Sequence, residues 1–213
     1  MFEKFKSYLG GSAQPTGPVE YLVVGLGNPG REYENTRHNA GFLAVDYIRE
    51  KERFEMKKLK FQSLTGDAEL EGKRVLFLKP STYMNKSGEA VRDAASFYKI
   101  PPERIIVLCD DVNLSPGRLR LRKSGSDGGQ NGLKNIIYHL ESDQFLRLRI
   151  GIGSKPHPEM DLADWVLSRF TPDELKQLGD VFERAYHGLK LILSDKLNDA
   201  MTLCNTNVEG AKQ

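Results

Sequence analysis

The sequence is poor in cysteine and contains no long apolar run. Its 213 residues include two cysteines, Cys109 and Cys204, too few for a disulfide framework or a structural zinc site. Cys109 ends an apolar, strand-like run, which indicates a reduced thiol in the cytosol. No run of about 18 apolar residues exists to span a membrane, and residues 1–18 lack the apolar core of a signal peptide. We therefore predict a soluble, cytoplasmic protein without membrane association.

Several catalytic signatures are also missing. The chain has no G-x-S-x-G elbow, no H-E-x-x-H motif and no Walker loop, so neither a covalent serine mechanism nor a metal mechanism is supported. Gly25, Gly27 and Gly30 do match the dinucleotide fingerprint G-x-G-x-x-G, with Asp46 as its ribose-binding acid. A polar stretch follows the glycine loop where a helix should open, and Asp46 falls inside a predicted helix. A bound dinucleotide is therefore a disfavoured alternative.

The charge balance is mild. A net charge of +2 and a hydrophobic content of 39% predict one globular domain, and any nucleic-acid binding must depend on where the charges lie. Glycine, serine, proline and threonine before residue 19 indicate a flexible leader at residues 1–18. We predict a folded domain at 19–200 and a C-terminal tail at 201–213.

Strand-like and helix-like segments alternate along the chain. Strands are predicted within residues 22–24, 74–78, 105–108 and 146–152, and helices within 40–51, 89–98 and 172–193, the last beginning at a capping box. This order predicts a single α/β domain with a twisted mixed β-sheet flanked by α-helices. The loops GLGNPG, KPSTYMNKSG and CDDVNLSPG follow strands and should meet at one sheet edge. The stretch 154–161 is predicted to be a mobile loop over that cleft.

The stretch LVVGLGNPGREYENTRHNAGF sets a buried strand and a tight turn before His38 and Asn39. His38 is the candidate proton acceptor, and Asp110 or Asp111 at a strand end is placed to fix its tautomer. The carboxamides that suit an amide-rich substrate are Asn28, Asn39, Asn85 and Asn131. Two structural alternatives stay open, a capping or surface role for His38 and Asn39 and a loop-capping role for Asp111.

An alternating basic strand follows. In RLRLRK, a strand puts three guanidinium groups on one face, those of Arg118, Arg120 and Arg122. Such a face suits phosphates, and the backbone amides of the glycine-rich SGSDGGQNG suit another phosphate or a substrate end. Arg147 and Arg149 repeat the alternation. The alternative is a solvated basic face without a ligand.

Three motifs together resemble one known family. The stretches VVGLGNPGREYENTRHNAGF, LKPSTYMNKSGEAV and DDVNLSPGRLRLRKSGSDGGQNGLKNI, followed by LRIGIG and DWVLSRFTPDE, resemble the bacterial-type peptidyl-tRNA hydrolase family from about residue 21 to about residue 200. The resemblance implies a single α/β domain that hydrolyses the ester between a peptide and the 3′-terminal ribose of tRNA. It implies no metal or organic cofactor, and a monomer whose partner is peptidyl-tRNA.

The resemblance also implies roles for individual residues. His38 would activate water, Asp110 would orient His38, and Asn28 would act with them. The implied substrate and tRNA contacts are Tyr33, Tyr83 and Met84 in the cleft, Asn85 and Asn131 on the peptide and water, and Arg122 and Arg149 on tRNA phosphates.

One position departs from the family pattern. The usual Gly-Gly-His-Asn-Gly is Gly-Gly-Gln-Asn-Gly here, with Gln130 in place of a second imidazole. Gln130 can donate and accept hydrogen bonds but cannot titrate. We expect an altered affinity for substrate while His38 and Asp110 remain intact. The leader at residues 1–18 is also longer than the family's usual start.

Two other functions are compatible with parts of the sequence. A non-catalytic RNA-binding relative, of the kind that serves as an intron-splicing cofactor, could tolerate loss of the chemical residues, yet His38, Asp110, Asn28 and Asn85 are all present. A general esterase is disfavoured because the basic strand would have no partner. The sequence therefore favours the hydrolase.

Overall fold

A computed structural model describes residues 15–206 and contains a seven-stranded mixed β-sheet with the strand order β2-β3-β4-β1-β5-β7-β6. The strands are β1 (Tyr21–Gly25), β2 (Met56–Lys60), β3 (Ser63–Leu70), β4 (Lys73–Pro80), β5 (Ile105–Asp111), β6 (Leu119–Arg122) and β7 (Leu146–Gly151). The helices are α1 (Ala40–Glu52), α2 (Ser87–Tyr98), α3 (Asn131–Leu140), α4 (Leu162–Leu167), α5 (Pro172–Leu193) and α6 (Leu197–Asn205). The predicted α/β fold is confirmed.

The centre of the sheet is parallel and both of its edges are antiparallel. β1 pairs in parallel with β4 and β5, and β5 pairs in parallel with β7. Antiparallel pairing joins β2 to β3, β3 to β4 and β6 to β7. Every residue of β1 is buried, as expected for a branched apolar strand covered on both faces.

Helices cover both faces of the sheet and create two apolar layers. Val23 of β1 packs with residues of α1 and α5 on one face. Its neighbours Leu22 and Val24 pack with residues of α2 and α3 on the other face, because successive strand residues point to opposite sides. These two layers fix the positions of the loops at the carboxyl edge of the sheet.

Helix α5 begins at the predicted capping box. The Thr171 hydroxyl accepts a hydrogen bond from the Glu174 backbone N–H at 3.3 Å, and Glu174 Oε2 accepts one from the Thr171 N–H at 2.7 Å. The face carrying Leu178, Val181 and Phe182 is buried, as the helical spacing of these apolar residues predicts.

The C-terminal boundary differs from the prediction. The tail was predicted from residue 201, but α6 extends to Asn205 and buries Cys204. The Asn205 side chain also accepts from Leu121 N at 2.7 Å and donates to Leu121 O at 3.3 Å, so it satisfies the outer edge of β6. Residues 1–14 of the predicted leader and 207–213 of the predicted tail lie outside the described residues. None of the described helices is long and apolar enough to cross a membrane.

Candidate active site

A cleft of about 400 Å³ opens at the carboxyl ends of the central strands, and the loops after β1, β4 and β5 meet there as predicted. Of the predicted site residues, the cleft is lined by Asn28, His38, Tyr83, Met84, Asn85, Asp110, Asn131 and Arg149. Tyr33 and Arg122 are not part of its lining. The structure therefore brings most of the predicted residues into one site.

Two facing glycines allow the start of α1 to approach the sheet closely. A Cβ on Gly41 would lie 2.2 Å from Leu108 O and 2.5 Å from Leu26 N, and a Cβ on Gly25 would lie 2.5 Å from Gly41 O. Any larger side chain at either position would push α1 away from β1 and β5. The glycines thus set the separation between the turn Arg37–Asn39, which precedes α1, and the end of β5.

This approach places His38 against Asp110. His38 Nδ1 lies 2.8 Å from Asp110 Oδ2, although the two residues are 72 positions apart. His38 is 9% exposed and Asp110 2% exposed, so their contact is largely shielded from water. A carboxylate that accepts from Nδ1–H leaves Nε2 as the nitrogen able to take a proton.

The environment of His38 raises its pKa. Burial is the largest single influence and lowers the pKa, but the charge of Asp110 and the hydrogen bond to it together raise the pKa above the ordinary value of 6.5. The imidazolium is therefore stabilised in place. A base that forms a cation during a reaction benefits from such a partner.

Because imidazole accepts a proton only when neutral, we expect kcat/KM to rise with pH and level off above an inflection higher than 6.5. The His38 ring resonances, followed by NMR, should titrate at the same pH. In Asp110→Asn both raising contributions disappear while burial persists, so the His38 titration should move to lower pH. A native His38 that titrates at or below pH 6.5 would contradict the assignment.

Gln130 holds the second oxygen of Asp110. Its Nε2 donates to Asp110 Oδ1 at 3.0 Å, while its Oε1 accepts from Leu133 N at 2.8 Å and caps α3. The two contacts fix the orientation of the amide, because the Leu133 N–H requires the oxygen on its own side. The sequence indicated that Gln130 can donate and accept, but it gave no sign that the donor would reach Asp110.

Asn28 is locked on one side by its neighbours. Its Oδ1 accepts from Met84 N at 2.8 Å, and its backbone exchanges two hydrogen bonds with the Asn39 side chain, at 2.8 and 3.0 Å. Within residues 15–206 its Nδ2 group makes no hydrogen bond, so this donor is what Asn28 presents to the cleft. Asn39 has a structural role: its side chain ties two loops together and does not cap α1.

The remaining predicted cleft residues differ in exposure. Asn85 and Asn131 are exposed, Met84 is 4% exposed, and Tyr83 is 58% exposed. Tyr33 packs edge-on against Tyr83 with the ring centroids 6.3 Å apart. Tyr33 therefore contacts a residue of the cleft wall. Among residues 15–206 the Asn85 and Asn131 amides make no hydrogen bond, so both can contact a ligand.

The second basic pair does not form a solvated face. Arg147 is 1% exposed and donates to the backbone carbonyls of Gly125 and Asp143. Arg149 Nε lies 3.3 Å from Asp111 Oδ2, and its Nη2 donates to Asp127 O at 2.6 Å. Both guanidinium groups hold the glycine-rich segment through its carbonyls. The alternative of a solvated basic face therefore does not hold at these two positions, because strand alternation does not reveal what covers each face. The predicted contact of Arg149 with tRNA stays a prediction.

Asp111 has the loop-capping role that the sequence left open as an alternative. Its Oδ1 accepts from Asn113 N at 2.9 Å, which caps the following turn, and its Oδ2 faces Arg149. Asp110 is therefore the one of the two neighbouring carboxylates that contacts His38.

The first basic strand alternates as predicted. Leu119 and Leu121 are buried, Arg120 is half-buried and Arg122 is exposed on the edge strand β6. The stretch 154–161 is a loop, but the cleft wall on this side comes from α4, with Leu162 and Val166 among its lining. No cluster of three or more His, Cys, Asp or Glu side chains within residues 15–206 is arranged to hold a metal ion.

A family model and two sequence relatives of this chain carry the same description. The family model described as Peptidyl-tRNA hydrolase matches residues 22–212. A peptidyl-tRNA hydrolase of Caldanaerobacter subterraneus subsp. tengcongensis is 48% identical over 185 residues, covering 87% of this chain and 99% of the relative. That of Caldicellulosiruptor bescii is 46% identical over 190 residues, covering 89% and 99%.

The same likeness extends to three dimensions. A crystal structure of peptidyl-tRNA hydrolase from Acinetobacter baumannii matches with a TM-score of 0.83 at 37% identity, covering 90% of this chain and 98% of the other. The resemblance identified from the motifs is confirmed over nearly the whole length. This chain belongs to the peptidyl-tRNA hydrolase family.

Proposed function

We propose that this protein hydrolyses the ester between the peptide and the 3′-terminal ribose of peptidyl-tRNA, releasing a free peptide and a free tRNA. The observation that carries the proposal is the buried His38–Asp110 contact of 2.8 Å at the wall of a cleft, in a chain of this family. A histidine aligned by a carboxylate is suited to activate water.

His38 is the general base of the proposed reaction. Its Nε2 removes a proton from a water molecule as the water oxygen attacks the ester carbonyl, and Asp110 stabilises the imidazolium that forms. The tetrahedral intermediate then collapses, the ribose oxygen leaves, and the imidazolium returns the proton to it. Every proton taken from water is thereby transferred to a product.

Asn28 is the donor we assign to the developing oxyanion. Its Oδ1 accepts a hydrogen bond from Met84 N at 2.8 Å. Rotation of the side chain would break this buried bond, so Nδ2 stays directed into the cleft. A pre-aligned donor of this kind is worth about 10²–10³ in rate. The exposed amides of Asn85 and Asn131 are assigned to the peptide groups of the substrate.

These amides provide a reason to discriminate against ordinary aminoacyl-tRNA. A peptide bond can pair with both functions of a carboxamide, whereas a free ammonium group offers donors only. Polar groups left unpaired in a cleft weaken binding. The substrate class is therefore an ester whose acyl part carries at least one peptide group.

Arg122 is a stronger candidate than Arg149 for contact with tRNA phosphates. The Arg149 guanidinium already forms an ion pair with Asp111 and donates a hydrogen bond to Asp127 O. We expect Arg122→Ala to raise KM for peptidyl-tRNA, leave kcat nearly unchanged, and lower the salt slope of binding by roughly one phosphate contact, about 0.7–0.9. Affinity and KM measured from low to moderate salt test this. Lys176→Ala, an exposed change on α5, is the control, and an unchanged slope in Arg122→Ala would remove Arg122 from the tRNA site.

Single-turnover release of peptide from peptidyl-tRNA, with a chelator present, tests the function as a whole. We expect rapid hydrolysis of peptidyl-tRNA, much slower hydrolysis of aminoacyl-tRNA, and slow hydrolysis of a peptidyl ester that lacks tRNA. Tight tRNA binding without hydrolysis would instead identify a non-catalytic RNA-binding protein. Equal rates with and without the tRNA part would identify a general esterase.

We also propose that the protein acts as a cytoplasmic monomer. The burial of both free cysteines, Cys109 and Cys204, supports a reducing compartment. The molar mass in solution, measured by light scattering with and without tRNA, tests the monomer directly.

A further inference from the structure

A buried arginine lies directly beside His38. The Arg37 side chain is 5% exposed, its Nη2 lies 2.6 Å from Glu174 Oε1, and its Nη1 donates to Arg169 O at 2.6 Å. Its guanidinium also stacks over the Trp165 ring at 3.9 Å from the centroid. Arg37 thus contacts three points of the segment that contains the end of α4 and the start of α5.

The backbone repeats the same connection. Arg37 N donates to Ser168 O at 3.0 Å, Phe170 N donates to Asn35 O at 2.9 Å, and Thr36 forms a β-bridge with Arg169. The turn that carries His38 and the segment after α4 are therefore joined by main chain and side chain together.

That segment also forms a wall of the cleft. Leu162, Ala163, Val166 and Leu167 of α4 line the side facing the catalytic residues. Trp165, on the same short helix, donates from Nε1 to Gly153 O at 2.8 Å. A displacement of α4 would change both the cleft wall and the stacking of Trp165 on Arg37.

Burying the positive charge of Arg37 lowers the stability of the fold, so the contacts that this side chain makes need an explanation. Its Nε is buried and has no hydrogen-bond partner within residues 15–206, and burying an imperfectly paired cation lowers stability relative to an apolar side chain of similar size. The planar guanidinium does supply what an apolar side chain lacks, which is simultaneous directional contact with a ring, a carbonyl and a carboxylate.

We propose that Arg37 is a positioning residue for the reaction: it couples α4, the wall of the cleft, to the turn that aims His38. The inference rests on the proposed function, since it concerns the same site. When the contact is lost, the wall and the base lose their alignment together, so substrate affinity and turnover change in the same variant.

The chain provides its own reporter for this contact. Trp165 is the single tryptophan, so intrinsic fluorescence reports the environment of α4 without labelling. We compare Arg37→Met, which keeps an apolar stem, with Arg37→Lys and with Arg92→Met, an exposed arginine on α2. Each variant is measured at a temperature where its circular dichroism is native.

We expect Arg37→Met to shift Trp165 emission and increase its quenching by acrylamide, to raise KM for peptidyl-tRNA at least several-fold, and to lower kcat about tenfold. Arg37→Lys should recover part of each change, because it restores charge but not the planar stack. Arg92→Met should match the native protein in all three measurements. Altered fluorescence with native kcat and KM would overturn the coupling, and so would native fluorescence with lowered kcat.

If Arg37→Met does not fold, Glu174→Gln replaces it, because that change removes the charge partner and keeps a side chain able to cap α5. The same paired change in fluorescence and kinetics is expected, at smaller size, and unchanged values would overturn the proposal. A native protein without hydrolysis would defeat the proposed function instead. The NMR resonances of His38 then still decide the coupling when they are followed in Glu174→Gln, a change on α5 that contacts Arg37 and lies outside the turn carrying His38. The proposal expects them to shift, and unchanged resonances would overturn it.

Discussion

His38→Gln and His38→Ala are each expected to lower kcat for peptidyl-tRNA by about 10²–10⁴-fold, the contribution of a general base, with little change in tRNA affinity. In Gln the amide can still donate to Asp110, so the buried carboxylate keeps a partner. In Ala, Asp110 Oδ2 loses its donor and Gln130 alone still donates to the carboxylate, so this variant should also lose thermal stability. Single-turnover hydrolysis and equilibrium tRNA binding, measured side by side, separate the two effects.

The comparison between the two His38 variants is informative. If the loss of rate came from a disturbed fold, Ala would be much slower than Gln, following the difference in stability. If it comes from the missing proton acceptor, both should be slow to a similar degree. Native turnover in either variant would show that another group activates water.

Asp110→Asn is expected to reduce kcat by on the order of 10³-fold or more, since inverting the tautomer of a catalytic histidine costs up to about 10⁴-fold. Asp110 accepts from His38 and from Gln130 on separate oxygens, but an asparagine has one oxygen. Because Leu133 N fixes the Gln130 oxygen at 2.8 Å, the Gln130 amino group must keep facing position 110. The introduced amide therefore turns its oxygen to Gln130 and its amino group to His38, which places the ring proton on Nε2.

This geometry offers a second-site rescue. Adding Gln130→Glu to Asp110→Asn supplies a carboxylate that can accept from Leu133 N and from the introduced amide at once. The amide oxygen is then free to accept from His38 Nδ1–H, and the productive tautomer returns. We expect the double variant to recover at least tenfold of the lost kcat, while Gln130→Glu alone places two carboxylates together and is slower than native. A double variant no faster than Asp110→Asn would reject this account.

The sequence was sufficient to predict the central strands and their helices. β1, β4 and β5 contain apolar runs because helices cover them, and β7 shows the alternation of a strand. Helices α1, α2 and α5 carry apolar residues at helical spacing. The hairpin of β2 and β3 was not predicted. Met56–Lys60 is mostly lysine and is exposed after Met56, and an edge strand of that kind carries no alternating signal.

The parts of the site that follow from the order of the strands could be predicted. The parts that depend on which segment covers a strand face could not. His38 and Asp110 follow from loops at the carboxyl ends of neighbouring strands. Arg147 and Arg149 alternate as in a basic strand face, but the glycine-rich segment covers them, and its backbone carbonyls accept hydrogen bonds from both guanidinium groups. Nothing in the sequence marked Arg37 beside His38, because the side-chain hydrogen-bond partners of Arg37 lie more than 130 positions away.

The position of β1 in the sheet has a consequence for biosynthesis. β1 is made first yet lies in the middle, and its neighbours β4 and β5 begin only at Lys73 and Ile105. The strand therefore emerges from the ribosome with both edges unpaired, and non-local parallel pairing of this kind also forms slowly. The pairing of His38 with Asp110 needs β5 itself, and the pairing of Arg37 with Glu174 needs the much later helix α5. A protein proposed to cleave peptidyl-tRNA is thus without its active site for most of the time that it is itself a nascent peptide attached to tRNA.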